Sequence, residues 1–121
     1  MNRLMMLIVL MLSVTSAWAE WTEIGRTEDG TIYIDYATIR RSGNLANVWW
    51  LTDFAKPSWS QKYQGQYDCE RQQSRLLAFT RFTGRMGGGD ILPDSSHIPK
   101  WEPVQPGSIV ETIFNIVCDK K

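Results

Sequence analysis

The chain has two cysteines, Cys69 and Cys118, and whether they are free to bond to each other constrains the fold more than any other feature. Residues 1–19 decide it. Arg3 is followed by an apolar run from Leu4 to Val14 and then by Ser16-Ala17-Trp18-Ala19, the succession of a cleavable secretory leader. The run falls short of the ~20 residues a membrane-spanning helix needs, and the small side chains of Ala17 and Ala19 place the cut after Ala19. Glu20 follows where a lipoprotein would carry cysteine, so no lipid anchor is expected. No later apolar stretch is long enough for a membrane span. The expected location is periplasmic or secreted, where thiols oxidise. Two cysteines there have one possible pairing, and closing a loop of about 50 residues restricts the unfolded chain by roughly 4 kcal/mol. The alternative, a reactive or metal-binding pair, lacks the C-x-x-C spacing it would need.

Residues 20–121 are the length of one domain with a modest core. The chain carries 13 basic and 13 acidic residues, and losing Arg3 with the leader leaves the rest nearly neutral. That excludes the strong positive field on which nucleic-acid binding relies.

From Trp21 the chain reads as short strands. Trp21 to Ile24 and Thr31 to Asp35 flank the turn signal Glu28-Asp29-Gly30, a hairpin pattern. Tyr36 to Arg41 is expected to be a turn or a single helical turn. Leu45 to Phe54 has apolar groups at both parities, which predicts a central strand covered on both faces. Lys56-Pro57-Ser58 turns the chain, and Trp59 to Cys69 alternates cleanly. Trp59, Tyr63, Tyr67 and Cys69 share one face, and Ser60, Lys62, Gln64, Gln66 and Asp68 the other. Arg75 to Phe82 is a fifth strand, Thr83 to Gly89 a glycine-rich turn, and Asp90 to Leu92 a short strand. Pro93, Pro99, Pro103 and Pro106 then make Pro93 to Gly107 a long loop, with few backbone donors to offer a sheet.

Ser108 lies three residues before Glu111, a capping-box pattern that marks a helix start. Ile109, Ile113, Ile116 and Val117 then repeat at helical spacing, with Lys120 and Lys121 beyond them to complement the helix dipole. So short a helix is marginal alone in water, so its apolar face should pack on the strand face carrying Tyr63, Tyr67 and Cys69. The expected class is α+β: an antiparallel sheet of about five or six short strands, with a C-terminal helix on one face tied by one disulfide.

No catalytic, metal-binding or cofactor-binding constellation stands out. His97 is the only histidine, and no nucleophile motif accompanies it. The run Gly84-Arg85-Met86-Gly87-Gly88-Gly89 lacks the Lys-Ser/Thr ending of a phosphate loop and reads as a flexible hairpin turn. The candidate binding residues are Arg71, Arg75, Arg81 and Arg85, which concentrate positive charge for an acidic partner. Ion pairing with nearby Asp68 and Glu70 is the plainer reading of the same arginines. Among the tryptophans most are assigned to the core, while Trp59 and Trp101 are expected to be partly exposed and able to stack on a sugar or anchor a protein.

Several short patterns, in order, carry a resemblance: Trp21-x-x-Ile24-Gly25, Gly30-Thr31-Ile32-Tyr33-Ile34-Asp35 with Ile39-Arg40-Arg41, Trp50-x-x-Asp53-Phe54, Tyr67-Asp68-Cys69, Met86-Gly87-Gly88-Gly89, and Pro106-Gly107-Ser108 before a helix ending at Cys118. The chain resembles the surface-adhesin protein E family of small exported bacterial proteins. The resemblance implies an antiparallel sheet with a packed C-terminal helix, and for function host-matrix adhesion, since the member that names the family looks like a lipid-anchored surface protein that binds matrix glycoproteins and haem and can dimerise. It lends no ligand-binding residue to this chain, and without a lipidated cysteine the means of surface attachment is not carried over. The reading that follows is an exported, non-enzymatic binding protein with a protein or glycan partner, no cofactor, and room for a homodimer. The alternative is a periplasmic structural or assembly component of the cell envelope, working through edge-strand pairing.

Overall fold

Tight turns set the architecture, because each forces the next strand back along the last. The computed structural model describes residues 20–92 and 97–119. Residues 1–19, where the secretory leader is expected, residues 93–96, and Lys120 with Lys121 lie outside these. Strands β1 (Thr22–Arg26), β2 (Gly30–Ser42), β3 (Leu45–Ala55), β4 (Ser58–Asp68) and β5 (Gln73–Phe82) form an antiparallel meander in sequence order. Gly43, at φ 60°, and Asn44 make the two-residue turn from β2 to β3, a geometry that suits the twist of paired strands. Asp68 closes the turn from β4 to β5, its Oδ1 accepting from the amides of Glu70 and Arg71 at 3.1 and 3.0 Å.

Two short strands share the outer edge of β5. Strand β6 (Ile91–Leu92) pairs with Phe82 and Arg81, and β7 (Glu102–Pro103) pairs with Ser74 and Gln73. The sheet therefore has seven strands among the described residues. The seventh arises inside the proline-rich segment, which was expected to be loop throughout; Pro103 lacks a donor but sits on an edge, where none is needed. A single 3-10 turn spans Arg85–Gly87.

The helix α1 (Ile109–Val117) starts as its sequence predicts, with Ser108 Oγ accepting from Glu111 N at 3.2 Å. The reciprocal bond shifts by one residue. Glu111 Oε1 accepts from Gly107 N at 3.1 Å, because Ser108 N is already bonded to Gln105 O. At the other end Arg41 Nη1 donates to Val117 O at 3.1 Å, bringing positive charge from β2 to the helix C-terminus.

Ile113 and Val117 are buried against Ile32 and Ile34 of β2, Ala46, Val48 and Trp50 of β3, and Tyr67 of β4. Fully burying an aliphatic side chain of this size contributes about 1.5–3 kcal/mol, which is what holds a nine-residue helix in place. The Cys69–Cys118 disulfide joins the end of β4 to the end of α1 across a sequence separation of 49. The expected class is thus the observed one.

Another local expectation is corrected. Tyr36 to Arg41 is not a helical turn but continues β2, with its pairing to β3 interrupted between Asp35 and Arg40. Side chains replace the missing ladder bonds: Thr38 Oγ1 donates to Asp35 O at 2.7 Å and accepts from Trp49 N at 2.9 Å. The chain bulges there without leaving the sheet.

Candidate functional site: the open face of the sheet

The helix covers one face of the sheet, and alternation along β3, β4 and β5 sends the other set of side chains to the opposite face. On that open face Trp49, Lys62, Gln64, Gln66 and Arg75 stand in neighbouring register positions, since Trp49 pairs with Gln64 and Gln66 with Arg75. Lys62 Nζ lies 4.8 Å from the centre of the Trp49 ring. Arg75 Cζ lies 4.5 Å from the Trp101 ring, and Arg75 Nε donates to Gln66 Oε1 at 2.7 Å. Both cations are within the ~6 Å at which a ring face attracts positive charge. The result is two aromatic platforms, each with a cation over it, separated by two glutamine amides. Such a surface stacks on sugar rings and accepts acidic groups.

The proposed binding residues divide among several places. Arg75 and Trp101 meet on the open face. Trp59 and Arg81 also meet, the guanidinium 5.6 Å from the ring and Phe54 stacked on Trp59 at 4.2 Å, but their register with Phe54 and Gln61 puts them on the helix side, at the far end of β5. Arg71 is exposed in the turn after β4. Trp59 and Trp101 are both half-buried. Neither Arg71, Arg75 nor Arg81 is ion-paired with Asp68 or Glu70 among the described residues; Asp68 closes its turn and Glu70 bonds Asn44 Nδ2.

Arg85 is engaged elsewhere. Its Nη2 and Nε sit 2.7 and 2.8 Å from Oδ2 of Asp53, a carboxylate with no exposed side-chain surface, whose Oδ1 also accepts from Met86 N at 2.8 Å. Hydrogen bonding to Asp53 raises the Arg85 pKa above its ordinary value. Beside it the buried Ser60 Oγ donates to Gly84 O at 2.8 Å and accepts from Gly87 N at 2.9 Å. The glycine-rich turn, expected to be flexible, is therefore pinned over the end of the open face, where it also covers Leu51.

Sequence reasoning placed Lys62, Gln64 and Gln66 on the outer face but gave them no role, and it assigned Trp49 to the core. The signal was present in parity: Trp49 lies between Val48 and Trp50, both buried on the helix side. Asp53 and Ser60 were also missed; an acid within an apolar strand was the available sign. His97 Nε2 is 2.8 Å from Leu76 O, and no group of three or more His, Cys, Asp or Glu among the described residues is placed to hold a metal ion.

Comparison with known proteins completes this picture. Residues 21–119 match the family described as surface-adhesin protein E. The chain belongs to that family. Crystal form II of Haemophilus influenzae protein E superposes with a TM-score of 0.67 at 11% identity, covering 87% of this chain and 91% of that one. Protein E from non-typeable Haemophilus influenzae superposes with a TM-score of 0.62 at 11% identity, covering 87% and 80%. At such identity the likeness concerns the fold alone. No curated protein sequence matches the chain. Membership makes this a surface-adhesin-like protein, and no helix among the described residues is long and apolar enough to cross a membrane.

Proposed function

We propose that this adhesin E family member is an exported, non-catalytic binding protein that holds a protein or glycan partner on the open face of its sheet. The observation that carries the reading is the pair of cation-capped rings, Trp49 with Lys62 and Trp101 with Arg75, on the face the helix leaves uncovered. A rigid aromatic platform presents a large contact area at low entropic cost, and adjacent cations favour acidic protein segments or sulfated and uronic sugars. The cysteine bridge suits work outside the cytoplasm, where nothing reduces it.

The test is direct binding of the mature protein, residues 20–121, to immobilised matrix glycoproteins and cell-wall glycans. Saturable binding should fall at least about tenfold in Trp49→Ala and Trp101→Ala, the loss typical of a hot-spot residue. Absence of binding to either class, or binding indifferent to both substitutions, would remove the open face as the site.

A further inference from the structure

The opposite face of the sheet holds a cavity that the open-face reading does not use. Helix α1 packs over β2, β3 and the Tyr67 end of β4, and farther along the inner face of the sheet His97, in the segment leading into β7, lies against Leu76 and Phe79 of β5. Between them lies a cavity of about 310 Å3, with Trp50, Tyr63, Tyr67 and Leu76 on the sheet side, Val110 on the helix side, and His97, Lys100 and Glu102 along the incoming segment. It falls at the lower end of the ~300–1,000 Å3 range of small-molecule sites. Gly65 keeps part of this space open to Tyr67: a Cβ there would sit 2.9 Å from the Tyr67 hydroxyl.

The polar groups of this wall are sorted by charge. Trp50 stacks on Tyr63 at 4.0 Å, and its indole Nε1–H is buried without a hydrogen-bond partner, a state native structures avoid unless the group serves something. Burial holds the Tyr67 phenol above its ordinary pKa, so it keeps its proton and remains a donor. His97 is fixed by its bond to Leu76 O; since a carbonyl only accepts, Nε2 carries the proton. Lys100 and Glu102 stand two residues apart on the exposed rim, and neither forms an ion pair among the described residues. The site thus offers the Lys100 ammonium beside the Trp50 and Tyr67 donors, a separate anion at Glu102, and an apolar wall of Leu76 and Val110, while Arg75, which also lines it, has its guanidinium engaged by Gln66 and Trp101.

We propose that this cavity takes a small zwitterion, an α-amino acid with an apolar side chain. Lys100 receives its carboxylate, Glu102 receives its ammonium group, and the side chain lies against Leu76 and Val110 with Trp50 at the base. A neutral apolar ligand would leave both rim charges unused, and a sugar would leave the apolar wall unmatched.

The experiment is a titration of isotopically labelled mature protein with L-phenylalanine, 3-phenylpropanoate and phenethylamine, following the Trp50 indole resonance by NMR. L-phenylalanine should shift that resonance saturably, and each singly charged analogue should bind at least about tenfold more weakly, since each forfeits one charge-assisted contact. In Lys100→Gln the gap between L-phenylalanine and phenethylamine should close, and in Glu102→Gln the gap to 3-phenylpropanoate should close. Both residues are exposed, so neither change threatens folding. Equal binding of all three compounds, or no saturable shift with phenylalanine, leucine or valine, overturns the assignment. Binding of macromolecules at the open face should be unchanged in both variants, so this site and that one fail independently.

Discussion

Replacing Ser60 by alanine tests whether the glycine-rich turn is tied to the sheet or merely rests on it. Ser60 is fully buried, and its hydroxyl serves the turn twice, donating to Gly84 O at 2.8 Å and accepting from Gly87 N at 2.9 Å. Each such bond contributes about 1 kcal/mol net, and stripping a partner from a buried group costs about 1–3 kcal/mol. Gly84 and Gly87 are only half-buried, so water can reach them in part and the lower end of that range applies. The sum is about 2 kcal/mol, a lowering of Tm by about 8–16 °C for a domain of this size. Urea unfolding of Ser60→Ala against the parent protein measures it, and amide exchange locates it. Gly87 N–H should exchange much faster in the variant, while the amides of α1 should slow or quicken only with global stability. A cost within about 0.5 kcal/mol, as for an ordinary surface substitution, together with unchanged Gly87 exchange, would refute the tethering argument.

Other outcomes follow from the same geometry. Replacing both Cys69 and Cys118 by alanine removes a bridge spanning 49 positions and should cost about 4 kcal/mol by the chain-entropy account, read as a fall in the urea midpoint. Gly65→Ala should be destabilising by about 1–3 kcal/mol, because the new methyl meets the Tyr67 ring and hydroxyl at 3.0 and 2.9 Å; an unaltered melting curve would contradict that packing. Tyr67 has its pKa raised by burial from an ordinary 10.0. Above that ordinary value the unfolded chain sheds a proton that the folded chain still holds, so stability is full below pH 10 and falls as the pH climbs toward the raised value. Tyr67→Phe should remove about 1.4 kcal/mol per pH unit of that alkaline slope, leaving the smaller contribution of Tyr63, which burial raises in the same direction.

The elements legible in the sequence were those in which one local rule acted without competition. The alternation from Trp59 to Cys69 fixed the facing of β4, and Ser108 with Glu111 fixed the start of α1. Where two rules competed, the sequence misled. Tyr36 to Arg41 has the polar, bulky mixture of a turn, yet the paired strand β3 holds it in the sheet through the Thr38 hydroxyl. The glycines of residues 84–89 signal flexibility, and only the distant Asp53 and Ser60 revoke it. The site was hidden for a related reason. Lys62 reaches Trp49, and Arg75 reaches Trp101, across strand pairs whose register depends on the whole sheet, so no single stretch of sequence contains either pair.

The whole account depends on the chain leaving the reducing cytoplasm and acting as an adhesin-like protein beyond it. Intact-mass measurement of the protein isolated from the cells that produce it examines that step directly. The expected species begins at Glu20 and contains no free thiol. A species that still begins at Met1 and carries two reduced cysteines would contradict the account.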